Sequence, residues 1–373
     1  MTPPLRQRAS RPRDPRHRAA WLLPPAIVGA WVAAAPGLAA AGDDPQAWLQ
    51  KMNRALASRN YDGTFFHLSE GRVETMRIVH RVRAGRVTER LLSLDGSGRE
   101  FVRNDDELTC YLPDQRTVLV EPRPEHGPFL GSLPQFGAGV NDFYRIESLA
   151  PNHVLGRAVH VIAVTPKDQF RFGYSLWLDD QSAMPLKTQL RDSHGQVIEQ
   201  ILFAKLDMPD SIADSELSPA VVPKGMRWVR QGPSTGNAPA SLASFRASQL
   251  PPGFRLTVSG VQTLGGAAVP ASHLVYSDGL ATVSVFVEGP DGKDSDAKGG
   301  DGKGGDGKGA DGKGADATPA APLEGLARVG SGFVFSTVVQ GHQVTAVGEV
   351  PAQTVEFIAH SVKSYGAADS PNR

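Results

Sequence analysis

Phe170-Arg171-Phe172-Gly173-Tyr174-Ser175-Leu176-Trp177-Leu178 alternates in character residue by residue, the period of an extended strand with one apolar face. Phe170, Phe172, Tyr174, Leu176 and Leu178 fall on that face, and Arg171, Gly173 and Ser175 on the other. Asp179-Asp180 follows. Adjacent acidic side chains in a strand or turn point apart, so a hairpin turn accounts for them better than an acid/base pair. The runs Pro185 to Leu190 and Val197 to Leu206 come next, giving three successive strands joined by short turns. Upstream the same short-run pattern reaches back to Tyr61, punctuated by turn clusters such as Asp95-Gly96-Ser97-Gly98, so the region predicts an antiparallel meander. One helix precedes it: Asp44-Pro45 is an N-cap followed by proline at the first helical position, and Trp48, Leu49, Met52 and Leu56 recur at helical spacing.

Downstream the periodicity fades between Pro209 and Gln249, where Pro219, Pro223, Pro233 and Pro239 mark a linker. A second strand-rich unit spans 250–365, with runs at Phe254 to Leu264, His273 to Tyr276, Leu280 to Glu288, Gly332 to Val339 and Gln343 to Val350. It closes with a helix after Pro351, whose Val355, Ile358, Ala359 and Val362 form a single stripe. Residues 291–322 interrupt this unit with Asp/Gly/Lys near-repeats such as Asp301-Gly302-Lys303-Gly304-Gly305. Almost nothing in them can be buried, so the segment reads as a solvated loop between two strands. Residues 366–373 read as a tail.

The N-terminus reads as an export signal over residues 1–41. Arg6, Arg8, Arg11, Arg13, Arg16 and Arg18 precede an apolar run from Ala19 to Leu38, and Ala39-Ala40-Ala41 is a small-residue cleavage pattern. Pro24, Pro25 and Pro36 interrupt the run and argue against a membrane anchor. The whole chain's 39 Lys+Arg and 39 Asp+Glu become 33 and 38 once the six arginines and one aspartate of that segment are removed. The mature chain is then mildly acidic, which makes nucleic acid a poor partner. The single cysteine, Cys110, cannot form an internal disulfide and lies far from the cleavage site. Together these features predict a soluble protein of a Gram-negative periplasm, stabilised by two cores without disulfides.

No motif supports chemistry. Gly232-Pro233-Ser234-Thr235-Gly236 matches the nucleophile elbow in letters, but no buried strand precedes it and no helix follows. Gly302 to Gly307 matches a phosphate-binding glycine pattern with the same deficiency. The ten histidines are scattered, without paired cysteines or an H-E-x-x-H motif, so no metal site and no cofactor are expected. His67 and His80 read as half-buried strand residues.

Three ordered stretches resemble the MucB/RseB family of periplasmic regulators. They are Tyr61-Asp62-Gly63-Thr64-Phe65-Phe66 leading to Glu74-Thr75-Met76-Arg77; Tyr174 to Asp179 followed by Met184-Pro185-Leu186-Lys187 and Gly195 to Gln200; and Val275-Tyr276-Ser277-Asp278-Gly279-Leu280 running into Val283 to Val287, with Val347-Gly348-Glu349-Val350-Pro351 near the end. The Asp/Gly/Lys insertion departs from the family pattern. The resemblance implies an α+β protein: an N-terminal domain over 42–208 similar to the lipoprotein carrier fold, an unclosed antiparallel β-barrel with helices, and a smaller C-terminal α+β sheet domain. It implies a negative regulator, not an enzyme, that binds the periplasmic segment of a single-span membrane anti-sigma factor of the MucA/RseA type. Such a protein shields that segment from site-1 proteolysis and so holds an envelope-stress sigma factor inactive, until a lipid or lipopolysaccharide signal releases it.

A signal of that kind needs only about 1–3 kcal/mol of coupling, and buried acyl methylenes supply up to ~0.8 kcal/mol each. Candidate ligand-binding residues are Phe65, Phe170, Phe172, Tyr174, Leu176 and Leu178, against the plainer reading that the opening helix covers this face as core. Candidate partner-binding residues are Tyr276, Ser277, Asp278 and Gly279, against the reading that Gly279 merely permits a tight hairpin. A soluble carrier of lipids or lipoproteins is the alternative function. A homo-oligomer stays open.

Overall fold

The computed structural model describes residues 44–104, 107–122, 136, 139–220, 225–230, 245–263, 270–289 and 324–365. The export signal, the Ser234 motif, the 291–322 insertion and the tail lie outside the described residues. Helix α1 (Pro45–Ser58) opens the chain, and the Asp44 carboxylate accepts from the Gln46 N–H at 3.0 Å as the expected N-cap.

After α1 come β1 (Tyr61–Ser69), β2 (Arg72–Arg83), β3 (Arg86–Ser93), β4 (Glu100–Arg103), β5 (Glu107–Leu112) and β6 (Thr117–Pro122). A one-turn helix α2 (Val140–Phe143) leads into β7 (Tyr144–Val154), β8 (Arg157–Pro166), β9 (Gly173–Asp179), β10 (Pro185–Arg191) and β11 (Val197–Asp207). These form one sheet in the order β6-β5-β4-β3-β2-β1-β11-β10-β9-β8-β7, so two antiparallel meanders meet where β1 pairs β11. Among the described residues the sheet does not close. A short helix α3 (Asp214–Leu217) and strand β12 (Arg227–Arg230) follow, and β12 adds to the far edge parallel to β6. Part of the stretch read as a linker therefore extends the first sheet.

The apolar stripe of α1, Trp48, Leu49, Met52, Ala55 and Leu56, joins one buried core with Tyr61, Phe65, Ile78, Leu176, Leu178, Leu186 and Phe203. Gly63 is needed on β1 because a Cβ there would sit 2.4 Å from the Phe203 ring. Two details differ from the sequence reading. The strand expected from Phe170 begins at Gly173, since Asp168 accepts from the Phe170 N–H at 2.9 Å and from Arg171 Nε at 3.1 Å and holds the preceding residues in a loop. The other face of β9 is also covered: Ser175 is buried and its hydroxyl accepts from Arg191 Nε at 3.0 Å.

The second sheet contains β14 (Arg255–Thr263), β15 (Pro270–Ser277), β16 (Thr282–Glu288), β17 (Gly325–Val329), β18 (Gly332–Val339) and β19 (His342–Gly348), in the order β14-β15-β16-β19-β18-β17. Short strands β13 (Phe245–Ala247) and β20 (Val362–Ser364) pair beside it. Strand β17 escaped sequence reading because every one of its side chains is exposed and none alternates. Helix α4 (Ala352–His360) lays Val355, Ile358 and Ala359 on this sheet as expected. Val362, read as the next turn of that helix, instead joins the same core from β20, because the helix ends at His360. The large unclosed sheet with its helix, and the smaller sheet with α4, make the α+β class that the sequence implied.

Candidate functional site

A densely bonded polar cluster joins the two sheets. Arg171 stands in the loop before β9 and is fully buried. A buried guanidinium is tolerated only when its donors are met. Its Nη1 donates to Asp278 Oδ2 at 2.8 Å, its Nε to Asp168 Oδ1 at 3.1 Å, and its Nη2 to the Pro252 carbonyl. The plane lies over Phe143, Tyr144 and Phe254, with ring centroids 4.8, 5.5 and 5.3 Å away. Two of those rings come from the first sheet's side and one from the second's.

Asp278, in the β15–β16 turn, is matched to this cation. Its Oδ2 also accepts from the Tyr144 hydroxyl at 3.1 Å, while Oδ1 accepts from the N–H groups of Leu280 and Ala281 at 2.8 and 2.7 Å. Burial, then the Asp278 charge, pushes the Tyr144 phenol far above its ordinary range, so it stays a neutral donor. Gly253 has φ +83° and a Cβ on it would meet the Phe143 ring at 2.4 Å, so glycine is required where the chain approaches this ring. Beside the ion pair, Thr354 of α4 donates to the Phe170 carbonyl at 2.8 Å, and the Phe170 and Phe357 rings meet edge to face at 5.7 Å.

The structure spreads the candidate ligand residues over several places. Phe65, Leu176 and Leu178 lie in the core shared with α1, with Leu176 and Leu178 fully buried. Phe170 packs on α4, while Tyr174, half-buried on β9, packs against that same core and lines a gap with Glu199 and Glu349. Phe172 is buried in the loop with Arg171.

The candidate partner residues stay together as one turn. The Tyr276 hydroxyl accepts from the Ala247 N–H at 2.7 Å, the Ser277 hydroxyl donates to the Ala281 carbonyl at 2.8 Å, and Gly279 is exposed with φ +100°. Asp278 is engaged inside the molecule. The Arg171 role was missed because the alternation shows it only as a residue of the other strand face. Its only signal was a lone cation between two phenylalanines.

An open cleft of about 620 Å³ lies just outside Tyr144, lined also by Asn141, Arg145, Ile146, Pro166 and Lys167. A second, of about 460 Å³, runs along the outer side of α1 past Lys51, Arg54 and Arg59. Among the described residues no group of three or more His, Cys, Asp or Glu is arranged to hold a metal ion, and no helix is long and apolar enough to cross a membrane.

Residues 44–221 match the family model of the MucB/RseB N-terminal domain, and residues 239–304 that of the MucB/RseB C-terminal domain. The chain is 32% identical over 331 residues to the sigma factor AlgU regulatory protein MucB of Pseudomonas aeruginosa, covering 87% of this chain and 92% of that one. It is 27% identical over 330 residues to the sigma-E factor regulatory protein RseB of Escherichia coli, covering 86% and 91%. Among solved structures it is similar to MucB in complex with MucA(peri), at a TM-score of 0.61 and 28% identity over 87% of this chain and all of that one. MucB crystallised without MucA matches at a TM-score of 0.55.

Proposed function

This chain belongs to the MucB/RseB family, and we propose that it is an exported regulator that binds the periplasmic segment of a single-span membrane anti-sigma factor of the MucA type. The observation that carries this reading is the likeness, along nearly the whole mature chain, to a MucB solved with MucA(peri). Binding shields the segment from site-1 proteolysis, and the sigma factor stays inactive. The work is done by contact surfaces and not by bond-making chemistry. Export through the residue 1–41 signal puts the protein in the periplasm with its partner.

Both sheets contribute to this role. The Arg171–Asp278 contact sets the first sheet, with β9 and the 620 Å³ cleft at Tyr144, against the turn Tyr276–Gly279. The exposed part of that turn at Gly279, together with the half-buried Ser277, is the surface offered to the anti-sigma segment. Asp278 and Tyr276 position the turn from within. A lipid signal acts on the first sheet. Because Leu176 and Leu178 share one buried core with the apolar stripe of α1, an acyl chain reaching them has to open that core, which couples lipid entry to the shape of the domain.

Affinity capture with the mature protein tests the reading. An extract of the producing cell's envelope should yield one single-span anti-sigma factor, and added lipopolysaccharide should lower its recovery. Recovery of acylated lipoproteins alone would mean a carrier instead.

A further inference from the structure

Away from the Arg171 pair, the two sheets meet at a second polar contact of different character. Glu199 of β11 and Glu349, which follows β19, each bring a carboxyl group to the same small gap. The gap, of about 20 Å³, is lined also by Tyr174, Thr188, Gln189, Leu190 and Ile201. A hydrogen bond between two carboxyl groups needs one proton held in common, since two carboxylates can only accept. From the first sheet, His67 Nε2 lies 3.0 Å from Glu199 Oε1, and its Nδ1 is 3.9 Å from Glu74, which in turn pairs with Arg99 at 2.9 Å. From the second sheet, the Ser331 hydroxyl donates to Glu349 Oε1. The remaining titratable neighbour is the Tyr174 phenol, which burial keeps neutral.

We propose that Glu199 and Glu349 form a proton-operated latch between the two sheet domains: a shared proton holds them together, and its loss sets two carboxylates against each other across the contact. The asymmetry of the surroundings decides which carboxyl carries the proton. Burial alone would raise Glu199, but hydrogen bonds with His67 and Ser331 outweigh it and keep Glu199 ionised. Burial, then the Glu199 charge, pushes Glu349 up to about 7. His67 is raised chiefly by its hydrogen bond to Glu199, and both of its acidic partners, Glu199 and Glu74, lie on its own sheet, so docking does not change them.

Glu349 is thus the group whose titration changes with docking. Docked, it keeps its proton up to about pH 7; undocked, it releases it in the ordinary carboxylate range near 4.5. Docking therefore takes up a proton. It is strongest in acid and weakens as pH rises, by up to about tenfold per pH unit between those two limits. The latch is indifferent to which polypeptide the protein binds, so its test stands apart from that of the regulatory role.

Hydrogen exchange of the full mature chain provides that test, read as opening constants for the peptides around Phe170 and Glu349 after correction for intrinsic exchange. Between pH 5 and pH 7 the wild-type opening constant should rise by up to about tenfold per unit. Glu349→Gln, which keeps a neutral donor at every pH, should remove most of that slope and stay docked above neutrality. Should Glu349→Gln misfold by circular dichroism, Glu349→Met removes the titrating group itself and is expected to flatten the profile in the same way. A pH-independent wild type, or the wild-type slope surviving in the folded variant, overturns the proposal.

Discussion

The Arg171 guanidinium and the Asp278 carboxylate, 107 residues apart in the chain, meet at 2.8 Å with both side chains fully buried. Neither charge has an alternative solvation partner in water. Removing one leaves the other buried without this counter-charge, which typically costs about 3–5 kcal/mol, whereas replacing both with apolar residues is near neutral. Asp278→Ala should therefore lower stability toward urea by that amount, and the pair Arg171→Met with Asp278→Leu should recover most of it. A full loss in the double variant would show that the surrounding hydrogen bonds, and not the charge pair, hold the contact.

Leu176 and Leu178 lie in the buried core shared with α1, so truncating either creates a cavity. Leu176→Ala should cost about 2–5 kcal/mol in equilibrium unfolding. A variant of unchanged stability that had lost lipid binding would mean the face serves a ligand more than it serves the fold.

On β1, Gly63→Ala forces a methyl group against the Phe203 ring, for which a contact of 2.4 Å leaves no room. Overpacking of this kind costs about 1–3 kcal/mol. The loss should be relieved by Phe203→Leu in a double-mutant cycle. Additive losses would argue that backbone conformation at Gly63 is what matters.

In the second sheet β19 and β18 lie between the end of β16 and the start of β17. Three strand spacings of about 4.8 Å make that roughly 14 Å, a span that about ten flexible residues cover easily. Replacing residues 291–322 with a Gly/Ser segment of about that length should change unfolding free energy by less than about 1 kcal/mol, since closure entropy depends only weakly on length. A drop of several kcal/mol would show that the segment is packed.

Local patterning carried much of the fold. The alternation at Tyr174, Leu176 and Leu178 marked β9, the spacing of Trp48, Leu49, Met52 and Leu56 marked α1, and Asp44-Pro45 marked its start. Features set by distant partners left no such trace. The exposed edge strand β17 has no buried face to impose a period, and β12 is fixed only by its parallel pairing with β6. Arg171 stood out only as a residue of the other strand face, because its partners, Asp278 and Pro252, lie far along the chain. Glu349 stood within a stretch resembling the family, yet its neighbour Glu199 is 150 residues away, and nothing local announces that the two carboxyl groups line one gap.

Protease protection tests the central claim most directly. The purified mature protein is mixed with the periplasmic segment of the anti-sigma factor encoded in the same genome, and the site-1 protease is added with and without lipopolysaccharide. The account predicts that cleavage slows in proportion to complex formed and that lipopolysaccharide restores it. Cleavage at the free rate, with the protein folded and in excess, would contradict it.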